Sequence, residues 1–189
     1  MTPSHPIETI AEERHTSLGL YVTAKEAYDM WKSDTEEVKI LDVRTLAEYV
    51  FVGHPPMVFN IPAFFQTHRW DADREMFAME PNPEFVAQVR KWAEPGDTIL
   101  VTCRSGERGA MAVNLLAEAG FTDVYNIVDG MEGGLVKDPD SVFNGRRMKN
   151  GWQNSGLPWT YEINLDQVWI PEKFKAAIEQ VQQTPNTEN

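Results

Sequence analysis

The sequence predicts an α/β domain in which a central parallel β-sheet is flanked by helices on both faces. Short apolar runs at residues 38–43, 98–102 and 123–128 have the length and composition of buried strands. Each of the first two is followed within a few residues by a segment predicted to be helical, the first with a capping box at its start. Strands that alternate with helices over short connections are typical of a parallel sheet covered on both sides.

Length and composition are those of one globular domain. The chain has 189 residues, of which 42% are hydrophobic, and six tryptophans. Its formal net charge of -12 argues against nucleic acid or an anionic membrane surface as a partner. A single cysteine cannot form an internal disulfide, and no apolar run reaches 18 residues. We therefore expect a cytoplasmic protein by default, or a periplasmic one if a leader has been removed.

The N-terminal half contains two helix-start signals. Residues 1–16 are polar and predict a flexible tail. Thr23 and Glu26 have the spacing of a capping box, and so do Thr45 and Glu48. Each box predicts a helix, and the strand at residues 38–43 lies between them. A second strand is predicted at residues 57–62, whereas residues 64–82 fit no clear pattern.

The C-terminal half repeats the alternation. Asn82 and Pro83 predict the start of a helix that ends near residue 95, before the strand at 98–102. Gly120 then predicts the end of a helix that follows that strand. A last helix is expected to start at Pro171 and to pack on the domain through Phe174, Ile178 and Val181.

The only cysteine, Cys103, directly follows the strand at residues 98–102. A lone cysteine is most often a small buried hydrophobe. Here the next six residues, RSGERG, are all polar or glycine, so the sequence offers no apolar pocket at this turn. In parallel sheets, ligands bind at the carboxyl ends of strands. Cys103 is therefore a candidate for a functional thiol.

Three features of this turn favour the thiolate form of Cys103. Gly106 and Gly109 allow a tight curl in which successive amide groups converge. The following helix adds the positive end of its dipole. Arg104 and Arg108 add cationic side chains. The turn thus predicts a nucleophilic cysteine in an anion-binding loop.

The motif CRSGERG at a strand–helix junction resembles the active-site loop of the rhodaneses, the thiosulfate sulfurtransferases. ILDVRTLAEY with the later GH, then NIP, AGFTDVYNIVDGMEGG and GLPW, are similar to further family segments in the same order. The resemblance covers roughly residues 20–160. Two departures are visible: PPMV at residues 55–58 replaces the usual Ile-Pro-Gly-Ala, and residues 135–150 form an apparent insertion.

This resemblance implies a rhodanese-like fold over residues 17–160, followed by a C-terminal extension at 161–189. It also implies that Cys103 is the catalytic residue, which takes the outer sulfur of thiosulfate or a persulfide donor and passes it to a thiol or cyanide. Asp42 and Arg44 match the family's Asp-x-Arg and are expected to support the loop. Glu48 is interpreted as a helix cap only. The expected substrate-binding residues are Arg104, Ser105, Gly106, Glu107, Arg108 and Gly109, with Glu107 pointing outward or paired with an arginine.

Other functions of a similar loop remain open. Cell-cycle phosphatases and some arsenate reductases resemble this fold but use Cys-x5-Arg, whereas four residues separate Cys103 from Arg108 here. One residue is roughly 3.5 Å of chain, so the shorter loop suits a sulfur atom better than a phosphate group. A non-catalytic interaction or sulfur-carrier domain, or a sulfenic acid sensor, is a further alternative.

The expected partners are a small anionic sulfur donor, a thiol acceptor and possibly a sulfur-relay protein. No cofactor is implied, and the four histidines have no metal-ligand spacing, so no metal is predicted. The insertion carries basic residues on an acidic chain. It is interpreted either as a solvated surface loop or as a basic rim near Cys103 that attracts anions. These basic residues are Lys137, Arg146, Arg147 and Lys149.

Overall fold

A computed structural model of the protein describes residues 5–183. Its centre is a five-stranded parallel sheet of β1 (Tyr21–Val22), β2 (Val38–Asp42), β3 (Phe59–Asn60), β6 (Thr98–Thr102) and β7 (Val124–Ile127). The strand order is β1-β7-β6-β2-β3. Four of these strands lie within the predicted apolar runs and form the parallel sheet that the sequence predicts, whereas β1 was not predicted.

Helices cover both faces of the sheet, as predicted. They are α1 (Ala24–Ser33), α2 (Leu46–Val52), α3 (Phe85–Trp92), α4 (Glu107–Glu118) and α5 (Glu172–Gln183). Side chains of α3 and α4 pack against one face, around Leu41, Ile99 and Val101. Side chains of α1 and α2 pack against the other face together with Trp152. Successive residues of each central strand thus contribute to opposite hydrophobic cores.

Both predicted capping boxes are confirmed. The Thr23 hydroxyl accepts from the Glu26 amide at the start of α1, and the Glu26 carboxylate accepts from the Thr23 amide. Thr45 and Glu48 make the same two contacts at the start of α2. These reciprocal bonds satisfy amides that have no intrahelical acceptor, which fixes where each helix begins after its strand.

The unassigned segment at residues 64–82 is an antiparallel hairpin of β4 (Phe64–Asp71) and β5 (Met76–Pro81). Its sequence lacks the alternation typical of a strand, because exposed apolar side chains are spread along both strands. The helix after it begins at Phe85, two residues later than Asn82 and Pro83 predict. Asn82 is still used as a turn residue, because its side-chain oxygen accepts from the Glu84 amide.

The described part of the predicted N-terminal tail, residues 5–16, forms two short 3-10 turns at Ile7–Thr9 and Glu12–Arg14. The second turn packs beside α4. The Arg14 guanidinium donates to the Val128 carbonyl at 3.0 Å, and Thr16 is buried. These contacts hold the segment against the core and near the carboxyl end of β7.

The insertion contains a second hairpin, of β8 (Gly134–Leu135) and β9 (Arg147–Lys149). Beyond it, α5 packs less closely than its apolar pattern predicts. Ile178 is partly buried, whereas Phe174 is 51% exposed and Val181 is 74% exposed. The expected contact of Val181 is therefore wrong. Within residues 5–183, every helix is too short or too polar to cross a bilayer.

Candidate active site

Cys103 lies where β6 ends, at the carboxyl edge of the sheet. Its side chain is 1% exposed, and its Sγ atom accepts a hydrogen bond from the Gly106 amide at 3.1 Å. Gly106 is the N-cap of α4 and has a φ of 98°, a left-handed conformation that glycine adopts without strain. The loop therefore curls so that a backbone donor, together with the positive end of the helix, faces the sulfur.

The loop is shaped by the turn that follows β7. The Met131 amide donates to the Cys103 carbonyl at 2.8 Å, and the Glu132 amide donates to the Arg104 carbonyl at 2.9 Å. Gly130 makes this approach possible, since a Cβ atom there would lie 2.7 Å from the Cys103 carbonyl oxygen. The two backbone segments are thus held in direct contact beneath the cysteine.

A buried asparagine supports the loop from the side. The Asn126 side chain donates to the carbonyls of Gly106, at 3.0 Å, and Arg14, at 3.2 Å. Gly109 packs against it, because a Cβ atom at Gly109 would meet Asn126 Oδ1 at 2.5 Å. Gly109 therefore acts in packing, and it does not line the cleft above Cys103.

Arg108 is paired with Glu48, for which the sequence predicts only a helix-capping role. Their guanidinium and carboxylate groups form two hydrogen bonds, at 2.5 and 2.7 Å. Burial opposes ionisation of Glu48, but the bonds and charge of Arg108 outweigh it and lower the pKa of Glu48 to about 2. The same carboxylate raises the pKa of Arg108 against the effect of burial. The pair joins α2 to the start of α4.

Arg104 also has a carboxylate partner. Its Nε atom lies 3.2 Å from Glu132, while the side chain remains half exposed. Glu107 is exposed and also lines the cleft. Ser105 is partly buried and lines the cleft with these residues. Both arginines of the loop are therefore held in place by acidic side chains from other segments.

Asp42 and Arg44 form a fully buried bidentate ion pair at the end of β2. The Arg44 Nη2 atom lies 2.7 Å from Asp42 and also donates to the Gly53 carbonyl at 2.8 Å. The Val43 amide between them donates to the Thr102 carbonyl at 3.0 Å. The pair thus fixes the turn between β2 and α2, next to the residue that precedes Cys103.

A cleft of about 560 Å³ opens above the cysteine. The sequence-predicted residues Cys103, Arg104, Ser105, Glu107 and Arg108 lie on its floor. The β4–β5 hairpin and Met111 of α4 form much of the remaining lining. Arg147 brings the insertion to the cleft as well, whereas Arg146 is exposed and does not line it. Nowhere in residues 5–183 do three or more His, Cys, Asp or Glu side chains group as a metal site.

Comparison with known proteins gives the family. A model described as the rhodanese-like domain matches residues 23–136, which is more than half of the chain. The chain belongs to the rhodanese family. A crystal structure of Rv0390 from M. tuberculosis is 30% identical, with a TM-score of 0.56 over 75% of this chain and 96% of that one. The rhodanese resemblance and the fold class predicted from the sequence are therefore confirmed.

Curated relatives of this chain include one that is named a sulfurtransferase. Thiosulfate sulfurtransferase 16, chloroplastic, from Arabidopsis thaliana is 37% identical over 49% of this chain and 69% of that protein. Senescence-associated protein DIN1 from Raphanus sativus is 38% identical over 49% of this chain and 45% of that protein. The match to the radish protein thus spans less than half of its length.

Several residues around the rhodanese loop were missed by sequence reasoning. Asn126 lies in β7, and Glu132 lies in the turn after it. Both fall in the segment AGFTDVYNIVDGMEGG, but nothing in that segment indicates a contact with the cysteine loop. Arg69 and Arg74 lie in the segment that had no assignment. Glu48 alone carried a signal, because its capping position at the start of α2 places its carboxylate at the same sheet edge as Cys103.

Proposed function

We propose that this rhodanese-family protein is a sulfurtransferase that carries sulfane sulfur as a persulfide on Cys103. One observation carries the proposal: the buried Cys103 sulfur accepts an amide hydrogen bond at the base of an arginine-lined cleft. An amide donor and a helix N-terminus stabilise a thiolate, and a persulfide anion has the same requirement.

The reaction proceeds in two displacements at sulfur. The Cys103 thiolate attacks the outer sulfur of thiosulfate, a new S–S bond forms, and the old S–S bond breaks as sulfite leaves with the electron pair. A thiolate acceptor, or cyanide, then attacks the outer sulfur of the persulfide. The Cys103 thiolate leaves and is ready for another cycle. A persulfide donor enters the first step in the same way, with a thiolate as the leaving group.

The two arginines of the loop have different roles in these steps. Arg104 keeps half of its side chain exposed in the cleft, so we assign it to the sulfonate of thiosulfate and to the departing sulfite. Arg108 is committed to Glu48 and is assigned to positioning the start of α4. Asp42 and Arg44 support the neighbouring turn and take no part in the chemistry.

Intact mass spectrometry tests the proposal directly. Incubation with thiosulfate should add about 32 Da to the wild type, which is one sulfur atom on the nucleophile, and nothing to Cys103→Ser. Cyanide should then remove the added mass and release thiocyanate. Arg146→Gln is a matched surface control and should gain the mass as the wild type does. A wild type that gains no mass, or a Cys103→Ser variant that gains it, overturns the mechanism.

A further inference from the structure

A second cavity lies on the opposite face of β4 from the cysteine. Phe64 and Gln66 line the cleft above Cys103, whereas Phe65 between them lines this second cavity. Successive side chains of a strand point to opposite faces, and the two spaces share no lining residue. We call the second space, of about 530 Å³, the apolar groove. Its lining comes from β4, α2, α5 and the chain before α5, and includes Leu46, Val50, Phe65, Leu165, Phe174 and Ile178.

The lining of the apolar groove has no polar side chain. All thirteen lining residues are aliphatic, aromatic or proline, and none has a charged, hydroxyl or amide side chain. Leu46, Phe65 and Phe174 are nevertheless 45%, 38% and 51% exposed. Burial of such surface is favourable, and an apolar cavity offers no hydrogen bonds that would hold ordered water. A ligand of this groove must therefore present a surface without hydrogen-bonding groups.

Contacts within the protein hold the walls of the apolar groove in place. The Trp169 amide donates to the Asn60 carbonyl of β3 at 2.8 Å. The Trp169 ring stacks on the Phe65 ring, with 6.2 Å between the two ring centroids. These contacts tie the chain before α5 to both β3 and β4. The groove is therefore formed in advance, as sites for small molecules usually are.

The size of the apolar groove favours a small ligand over a second protein chain. Sites for small organic ligands have volumes of about 300–1,000 Å³, and the groove falls within that range. A stable protein–protein interface uses about 20–30 residues on each side, more than the thirteen that line the groove. Two copies of this chain also repel each other, since each has a net charge of -12.

A cationic side chain lies at the edge of the apolar groove. The Lys173 ammonium is 4.9 Å from the centre of the Phe174 ring, and that ring lines the groove. Among residues 5–183, no carboxylate is hydrogen-bonded or ion-paired to this ammonium. The nearby Lys175 is instead paired with Glu172 at 2.8 Å. An anionic group at this edge therefore meets an available positive charge, whereas the lining of the groove itself offers none.

We propose that the apolar groove binds the alkyl chain of a fatty acid, whose carboxylate lies beside Lys173. An alkyl chain needs no hydrogen-bond partner along its length, and it covers the exposed surfaces of Phe65 and Phe174. The carboxylate stays at the solvent edge, where both water and the Lys173 ammonium are its partners. Phe174, which the helical pattern predicts to be packed, thus packs against the ligand. Binding is noncovalent and independent of the sulfur transfer proposed above.

Isothermal titration calorimetry with decanoate tests the inference. Phe174→Ser removes apolar lining at a side chain that is already half exposed, so it should raise Kd at least about fivefold and leave the fold intact. Val181→Ser is the matched control, because Val181 is an exposed apolar residue of the same helix outside the groove. Met111→Ser makes the corresponding change in the cysteine cleft. Both controls should leave Kd within about twofold. The melting temperature of each variant verifies its folding.

Two further ligands identify the groups that are recognised. Hexanoate has a shorter chain and should bind at least about thirtyfold more weakly than decanoate, since less alkyl surface is buried. Lys173→Gln should raise the Kd of decanoate about threefold and leave that of decan-1-ol unchanged, because only decanoate presents a charge to the ammonium. No measurable binding of decanoate, equal affinity for hexanoate, or an equal Kd in wild type and Phe174→Ser overturns the inference. A Kd of decanoate that Lys173→Gln leaves unchanged overturns the position of the carboxylate.

Sedimentation velocity distinguishes a bound fatty acid from a second copy of the chain in the groove. The ligand-free wild type and the Phe174→Ser variant should sediment as the same species. A wild-type dimer that Phe174→Ser dissociates and Val181→Ser does not would show that a second copy covers the groove, and it would overturn the inference. The mass increase with thiosulfate depends on none of these results.

Discussion

The Glu48–Arg108 pair joins the helix after β2 to the helix that begins behind Cys103, and its loss should destabilise the protein. Glu48→Gln is the informative change. Glutamine at the third helical position retains the capping box with Thr45 but carries no charge for Arg108. The substitution therefore separates the ion pair from the helix cap, which a change to alanine would remove together.

The pKa of Glu48 gives the size of the expected loss in the free energy of unfolding. The pKa of Glu48 falls from its ordinary value of 4.5 to about 2. A difference of one pKa unit is 1.36 kcal/mol, so this lowering corresponds to at most about 3 kcal/mol of folding free energy. The two side chains are 16% and 23% exposed, and solvent screens part of their interaction. We expect Glu48→Gln to lower the free energy of unfolding by about 2 kcal/mol at pH 7.

Denaturation in urea at several pH values checks this prediction. Because the folded pKa of Glu48 is lowered, its stabilising effect is complete above pH 4.5 and is lost as the pH falls towards 2. The difference between wild type and Glu48→Gln should therefore shrink steadily over that interval. Thr45→Ala, which leaves the charge pair but removes the hydroxyl that donates to the Glu48 carboxylate, should show a smaller difference with a weaker decline. A Glu48→Gln difference below about 0.5 kcal/mol at pH 7 would refute the reasoning.

Two predictions concern the basic residues of the cleft. Arg104→Ala should lower kcat/KM for thiosulfate about tenfold or more and leave an uncharged donor, such as dimethyl trisulfide, nearly unaffected, because only thiosulfate presents a sulfonate to the guanidinium. Steady-state kinetics with both donors checks this, and equal losses would assign Arg104 to loop shape. Arg147→Gln should raise KM for thiosulfate severalfold at low ionic strength with little change in kcat, and salt should reduce the effect. Arg146→Gln is its control, and equal KM values for the two variants would contradict the position of Arg147 in the cleft.

The elements that the sequence predicts well are those with a local physical signal. Thr23 and Thr45 begin helices through contacts made within three residues of chain, so their effect can be read directly. The strand before Cys103 is buried on both faces and appears as an uninterrupted apolar run. The cysteine loop also has a local signal, because a run of polar and glycine residues directly after a buried strand indicates a turn at the sheet edge.

The parts that could not be predicted depend on contacts between distant segments. Arg108 is paired with the carboxylate of Glu48, which lies sixty residues earlier in the chain, and is therefore not free for a bound anion. The hairpin over the cleft carries exposed Phe77 and Met76, so it lacks the alternation that normally marks a strand. Val181 fits a helical apolar stripe but is exposed. The spacing of residues along a helix cannot show whether another part of the protein packs against that stripe.

The contacts beneath Cys103 also determine when the loop around it can form during synthesis of the chain. The loop takes its shape from Asn126, Gly130 and Met131, which leave the ribosome well after the cysteine, and from Arg14, which leaves it long before. A nascent chain that ends before residue 131 lacks the amide that holds the Cys103 carbonyl. Formation of the complete loop is therefore delayed until most of the domain has been made and can fold.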